Sequence, residues 1–174
     1  MTNKEWLDSL TQSQIKVVAD CWAIKYFRLK TLDEVKEELA LIEGIQATPT
    51  SMAKVLTDRV LTYYQLDRKV LENYTHFANC TNELCYDQVD MRAVIEDGVI
   101  IELGFWAKGC VISEASAAML VEYFQDRTLD EVRNFTNKDM LDLVGVPIAK
   151  PREECVLLGL KCLRELYGSA TITG

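Results

Sequence analysis

Apolar positions along this chain change period twice. From Thr11, the residues Ile15, Val18, Trp22 and Tyr26 fall on one helical stripe, opened by Thr11 and Gln14 as a capping box. Thr31 and Glu34 form a second box ahead of LDEVKEELALIEG, which Gly44 can terminate. A third helix starts near Pro49, with Met52, Val55, Leu56, Val60, Tyr63 and Tyr64 at helical spacing. From Gln88 the period becomes two. Val89, Met91, Ala93 and Ile95 form one face, Glu96-Asp97-Gly98 supplies a turn, and Val99, Ile101, Leu103 and Phe105 continue the alternation. This is a β-hairpin. Helical spacing returns after Cys110: ISEASAAMLVEYF with Ser113 as its cap, TLDEVRNF opened by Thr128 and Glu131, TNKDMLDLVG ending at Gly145, and a closing helix through Leu166 with Pro151 in its first turn.

YFRLKTLDEV at Tyr26 to Val35 recurs as YFQDRTLDEV at Tyr123 to Val132, and Gly44 and Val55-Leu56 fall roughly opposite Gly145 and Val156-Leu157. A shared helix-start phrase explains the echo; a partial duplication of the helical half is the other reading. The first copy has Lys54 where the second has Cys155.

The composition is that of a globular protein, with 49% hydrophobic and 26% charged residues among 174 and only 8 Gly and 3 Pro. A net charge of −8 offers no basic excess to displace phosphate counterions, so no nucleic-acid partner is expected. No run of about 20 apolar residues and no signal-peptide pattern is present, so no membrane span and a cytoplasmic, reducing location are expected. Six cysteines then need a reading other than disulfide bonding. Cys21 and Cys162 sit in apolar helical runs and read as buried hydrophobes, while Cys80 is open to either reading.

The other three stand in different surroundings. Cys85 and Asp87 lie two apart at a strand entrance, where alternate side chains share a face and reach one metal. Cys110 follows Gly109 and directly precedes a helix, whose N–H groups and dipole favour thiolate. Cys155 lies in the first turn of the last helix with Arg152 three residues before it, which adds positive charge. Thiolates with one harder carboxylate suit release as well as capture of a soft metal. The only histidine, His76, reads as a surface or packing residue of a helical region, and Phe105 and Trp106 as core and cover for the site.

These phrases resemble the IscU, SufU and NifU N-terminal group of iron–sulfur cluster assembly scaffolds. Asn82-Glu83-Leu84-Cys85-Tyr86-Asp87 is similar to the family's Asn-Pro-x-Cys-Gly-Asp. Gly109-Cys110-Val111-Ile112-Ser113-Glu114-Ala115-Ser116 matches Gly-Cys-x-Ile-Ser-x-Ala-Ser, and Arg152-Glu153-Glu154-Cys155 matches the Arg-x-x-Cys of the SufU branch. Leu71-Glu72-Asn73-Tyr74 with Asn79 looks like a weakened form of the family's opening. The resemblance covers roughly Asp67 to Tyr167 and implies an α+β fold, SufE/NifU-like. A small antiparallel sheet, the hairpin with one further strand at most, is packed by helices with the site at an exposed end. The implied division is a helical N-terminal extension over 1–66 and a scaffold domain over 67–174. The extension is left three roles: packing over the sheet, replacing a missing strand, or mediating homodimerisation.

The resemblance further implies that Cys85, Asp87, Cys110 and Cys155 hold a transient [2Fe–2S] cluster or Zn²⁺, with Gly109 and Arg152 in support. The implied partners are a cysteine desulfurase that delivers sulfur, with Cys155 as the acceptor, and apoproteins that receive the cluster. The chain is a scaffold before it is an enzyme. The alternatives are a zinc-bound sulfur acceptor and a regulatory module that keeps the fold alone. Departures motivate the last, together with the added helices: Glu83 and Tyr86 replace Pro and Gly, and Glu154 replaces His or Lys; separately, the segment Gly145 to Lys150 keeps little of the family's Leu-Pro-Pro-Val-Lys, so no dedicated Hsp70 partner is expected. The short interval between Asn79 and Asn82 leaves little room for the family's first strand.

Overall fold

Side-chain caps mark the helix starts. Thr2 with Glu5, Thr31 with Glu34, Thr128 with Glu131 and Thr136 with Asp139 each close a reciprocal capping box. Thr11 and Gln14 exchange the same pair of bonds. The computed structural model describes residues 2–21, 31–41, 50–146 and 148–167. Trp22, Tyr26, Gly44 and Pro49 lie outside the described residues, as do the side chains of Cys21, Met52, Lys54, Val55 and Leu56. In chain order the elements are α1 Asn3–Asp8, α2 Gln12–Cys21, α3 Leu32–Ala40, α4 Thr50–Gln65, β1 His76–Asn82, β2 Asp87–Glu96, β3 Val99–Lys108, α5 Val111–Phe124, α6 Leu129–Asn134, α7 Asn137–Val144 and α8 Glu153–Leu166. A 3-10 turn, Lys150–Arg152, carries Pro151 just ahead of α8.

The sheet is an antiparallel meander of order β1-β2-β3. Asp97 and Gly98, both at positive φ, make the two-residue turn between β2 and β3, as the right-handed twist of a tight hairpin requires. Beyond it Ile101 is bulged, because Val94 pairs with Glu102 while Ile95 pairs with Ile100. The bulge shifts the phase. Ile100 is fully buried and Ile101 is exposed, the reverse of the simple alternation expected from the sequence.

β1 corrects a second expectation. His76 opens a strand rather than lying in a helical region, and His76 to Asn82 pairs residue by residue with Ala93 to Asp87. The third strand therefore comes from the segment thought too short for it, and the N-terminal helices replace no strand.

Val89, Met91, Ala93, Leu103, Phe105 and Ala107 line the inner face of the sheet, under α5 and α8. α5 is buried from Val111 to Leu120 on every side, which makes it the central helix. α4 packs on α5 and adds Val60 to this core. A smaller core joins Trp6, Leu7, Ile15, Val18, Ala19, Val35 and Leu39 of α1, α2 and α3. The shared TLDEV ends of the echoed phrases, at Thr31 and Thr128, both fold as capped helix starts, with Val35 buried in one core and Val132 in the other, while Tyr26 to Lys30 lie outside the described residues.

Between α4 and β1, residues 66–75 form a strap across the outer face of the sheet. The Lys69 carbonyl accepts the Phe105 N–H at 2.8 Å on the open side of β3, and the Leu71 carbonyl accepts the Arg92 guanidinium at 2.8 Å. Thr75 donates its N–H to Ala93 and accepts that of Ile95, both at 2.9 Å. Gly104 makes the crossing feasible, since a Cβ there would run into the Lys69 carbonyl and stand 2.9 Å from Leu71 Cγ.

Candidate metal centre

The meander brings the β1–β2 turn, the start of β2 and the end of β3 to one end of the sheet, and α8 begins against them. Asp87 is the first residue of β2, paired with Asn82, and Gln88 pairs with Lys108, so Gly109 and Cys110 emerge beside Asp87. Residues 83–86 make the turn. Tyr86 takes a φ of 57°, the left-handed conformation for which the family phrase supplies glycine. Leu84 and Tyr86, either side of Cys85, are 83% and 81% exposed.

Three of the four expected ligands converge. The ligand atoms of Cys85, Asp87 and Cys155 all lie within 4.8 Å of one another, and the Cys85 and Cys155 sulfurs are 3.6 Å apart. Cys110 joins through its neighbours. Its N–H donates to Asp87 Oδ1 at 3.2 Å, and its thiol bears on that of Cys155. Cys110 is itself the N-cap of α5, accepting the Ser113 N–H at 3.5 Å, so the cap expected of Ser113 belongs to the cysteine. Asn82 Nδ2 and Arg152 Nη1 each stand 3.9 Å from the Cys155 sulfur. Gly109 has no room for a side chain, because a Cβ would lie 2.6 Å from both Asp87 Cγ and Ser113 Oγ.

The electrostatics correct one expectation. Arg152 was to add positive charge beside Cys155, yet its thiol is pushed far up. The hydrogen bond to Cys110 is the largest cause, then burial, then the charges of Cys110, Cys85 and Asp87. Burial also raises Cys85, which Asp87 opposes through a backbone bond and reinforces through its charge. Crowded anions on one spot disfavour each other unless a cation lies among them.

A metal fits this chemistry. Asp87 is 4% exposed and its Oδ2 is buried without a hydrogen-bond partner, a lone-pair donor that costs about 1–3 kcal/mol unless something binds it. Two thiolates on a tetrahedral ion at about 2.3 Å each stand roughly 3.8 Å apart, close to the spacing of Cys85 and Cys155.

The remaining candidates fall elsewhere. Cys162 is fully buried in the main core, its thiol donating to the Ala78 and Val89 carbonyls at 3.3 Å, and Cys80 faces it. His76 bonds Thr75 through Nδ1 at 2.8 Å. Phe105 is core, but Trp106 lies on the opposite face of β3, 37% exposed, and covers no part of the site. Sequence reasoning passed over Glu114, which accepts the Gly109 N–H at 2.9 Å and pairs with Arg68. The signal was a carboxylate one turn past the cysteine, while Arg68 gave none.

A three-stranded meander under two long helices, with thiols and a carboxylate gathered at one end, defines a small α+β domain carrying a candidate metal–thiolate site. The family model described as the NifU-like N-terminal domain matches residues 55–166. The chain is 32% identical over 114 residues to the iron–sulfur cluster assembly scaffold protein IscU of Thermotoga maritima, covering 56% of this chain and 80% of that protein. Among solved structures it resembles SufU of Fervidobacterium islandicum, with a TM-score of 0.56 at 22% identity over 63% of this chain and 93% of that one. It also resembles a NifU-like N-terminal protein of Brucella abortus, with a TM-score of 0.54 at 20% identity over 63% and 90%. This chain belongs to the IscU, SufU and NifU N-terminal family of iron–sulfur cluster assembly scaffolds. The matched region begins inside α4, upstream of Asp67. Among the described residues no helix is long and apolar enough to cross a membrane.

Proposed function

We propose that this chain is a cytoplasmic scaffold on which a [2Fe–2S] cluster is assembled as cargo, held by Cys85, Asp87, Cys110 and Cys155. A cysteine desulfurase supplies the sulfur and apoproteins take the finished cluster. The observation that carries this reading is the convergence of the Cys85, Asp87 and Cys155 ligand atoms within 4.8 Å of one another, with Asp87 Oδ2 buried and without a hydrogen-bond partner. Three soft donors hold iron, and the harder carboxylate is the ligand most readily given up when the cargo leaves. Anaerobic reconstitution with iron and sulfide tests it. The wild-type protein develops charge-transfer absorption in the visible, and alanine at any one of the three cysteines abolishes or strongly weakens it. A Cys110→Ala variant with the full wild-type spectrum would overturn the ligand assignment.

The 3.6 Å spacing of two sulfurs favours a second reading, a zinc-bound sulfur acceptor. The thiolate of one cysteine attacks the terminal sulfur of the desulfurase persulfide, the donor S–S bond breaks as a new one forms, and the donor leaves as thiolate. No external oxidant enters. Cys155 is only 2% exposed, whereas Cys85 is partly open, so sulfur bound for Cys155 passes Cys85 first. Metal analysis of the protein as isolated, with a desulfurase stimulation assay, separates the two readings. Metal-free protein whose melting ignores a chelator favours the regulatory module instead.

A further inference from the structure

Successive N–H groups of the turn after β3 are held by two different carboxylates. Gly109 donates to Glu114 Oε1 at 2.9 Å, and Cys110 donates to Asp87 Oδ1 at 3.2 Å. Glu114, in the first turn of α5, is 7% exposed, and its other oxygen is paired with the Arg68 guanidinium, which reaches in from the strap. The site thus has a carboxylate behind it that no ligand assignment uses, neutralised by a cation from a distant segment. A buried carboxylate so near the thiols and Asp87 would add to the crowding of negative charge there, and the pairing with Arg68 offsets it.

We infer that Glu114, anchored by Arg68, is a positioning residue for the metal centre. It fixes the Gly109 peptide, so that the Cys110 N–H stays on Asp87 Oδ1 and leaves Asp87 Oδ2 turned to the ion. This inference rests on the reading of the centre as a metal site. The arrangement also ties the strap to the centre, since Arg68 precedes Lys69, whose carbonyl holds the Phe105 N–H of β3. Outer partners that orient a ligand usually shift metal affinity by about tenfold to a hundredfold when removed. The ion pair can be removed without the Gly109 bond: Glu114→Gln keeps an acceptor for Gly109 and loses the ion pair, Arg68→Met also removes the ion pair alone, and Arg68→Lys retains the charge.

The test uses the full chain, stripped of metal, and measures Zn²⁺ affinity by competition with a chromophoric chelator beside the melting temperature of each metal-free variant. Glu114→Ala is expected to bind Zn²⁺ about tenfold more weakly or worse, and Arg68→Met and Glu114→Gln by a smaller factor. Arg68→Lys recovers most of the loss. Val60→Ala, in the core away from the site, lowers melting without changing Zn²⁺ affinity. Wild-type affinity in the Glu114 and Arg68 variants overturns the inference, as does a loss that merely tracks melting temperature as in the Val60 control. Should Glu114→Ala fail to fold, Glu114→Gln and Arg68→Met decide. If the wild-type chain itself takes no Zn²⁺, the metal reading has failed, and amide hydrogen exchange judges the positioning alone. Exchange at Gly109 and Cys110 about tenfold faster in Arg68→Met, with the rest of α5 unchanged, supports it, and unchanged exchange overturns it.

Discussion

Tyr86 keeps a left-handed backbone with its ring in water, so the fold gains almost nothing from the side chain that strains it. Tyr86→Gly is accordingly expected to raise the stability of the metal-free protein by about 1 kcal/mol, read from the denaturation midpoint. A drop of similar size would mean that the ring makes contacts worth more than the strain. Gly109 presents the opposite case. A methyl group there meets the Asp87 carboxylate and the Ser113 hydroxyl at 2.6 Å, and neither can retreat without losing the Cys110 N–H bond or disturbing the first turn of α5. Gly109→Ala should cost about 1–3 kcal/mol by overpacking and weaken Zn²⁺ binding as Asp87 is pushed aside. Unchanged metal affinity in a folded Gly109→Ala protein would show that Asp87 is not a ligand.

At the scale of elements, the capped helices after α1 and the hairpin were readable because their signals are local, whereas α1 with its Thr2–Glu5 box went unread. A threonine three residues before a glutamate, or Asp-Gly between alternating runs, specifies its structure without help from elsewhere. β1 was not readable in this way. Its inward residues Ala78 and Cys80 are small, and it becomes a strand by pairing with β2 and lying under α8. The bulge at Ile101 was hidden for a related reason: Ile100 and Ile101 are equally apolar, and only the packing of the core selects which one turns inward. Of the candidate site, three phrases marked the proposed ligands, but the Arg68–Glu114 contact spans too much sequence for any local pattern to reveal.

Element packing also bears on how the chain divides. The sequence suggests a boundary at residue 66, yet α4 contributes Val60 to the main core and packs along α5, while α1, α2 and α3 share a core of their own. A chain starting at residue 50 is expected to keep a single cooperative unfolding transition. One starting at residue 67 should lose several kcal/mol or fail to fold, because the strap loses its anchor and α5 its cover. Equal melting of the two truncated chains would place the boundary at 66 after all.

For the molecule as a whole, the thiols outside the centre set a pH limit. Burial pushes the Cys80 thiol from an ordinary 9.0 up to about 11, with the Glu165 carboxylate beside it acting in the same sense, and Cys162 is raised by burial and by Cys80. The native chain therefore keeps protons that the unfolded chain has lost, and stability falls as pH rises from about 9 to about 11. Urea midpoints of metal-free protein should decline across that window, the raised thiols of Cys85, Cys155 and Cys162 contributing as well, and Cys80→Ala should make the decline shallower. A midpoint that stays level in the wild-type chain would mean that these thiols titrate alike in both states.

The strap has a further consequence, for the order in which the molecule is made. β1, β2 and β3 are consecutive hairpins that can zip from their own turns, whereas the crossing over Gly104 joins Lys69 to Phe105 and Arg68 to Glu114, partners far apart along the chain. During synthesis, α4 and the strap leave the ribosome before the strands they must lie across exist. They wait undocked until α5 has followed. Closure of this long loop is thus expected to be a late event, and the proposed metal site, tied to the strap through Glu114 and Arg68, is expected to be completed only after the sheet it sits on.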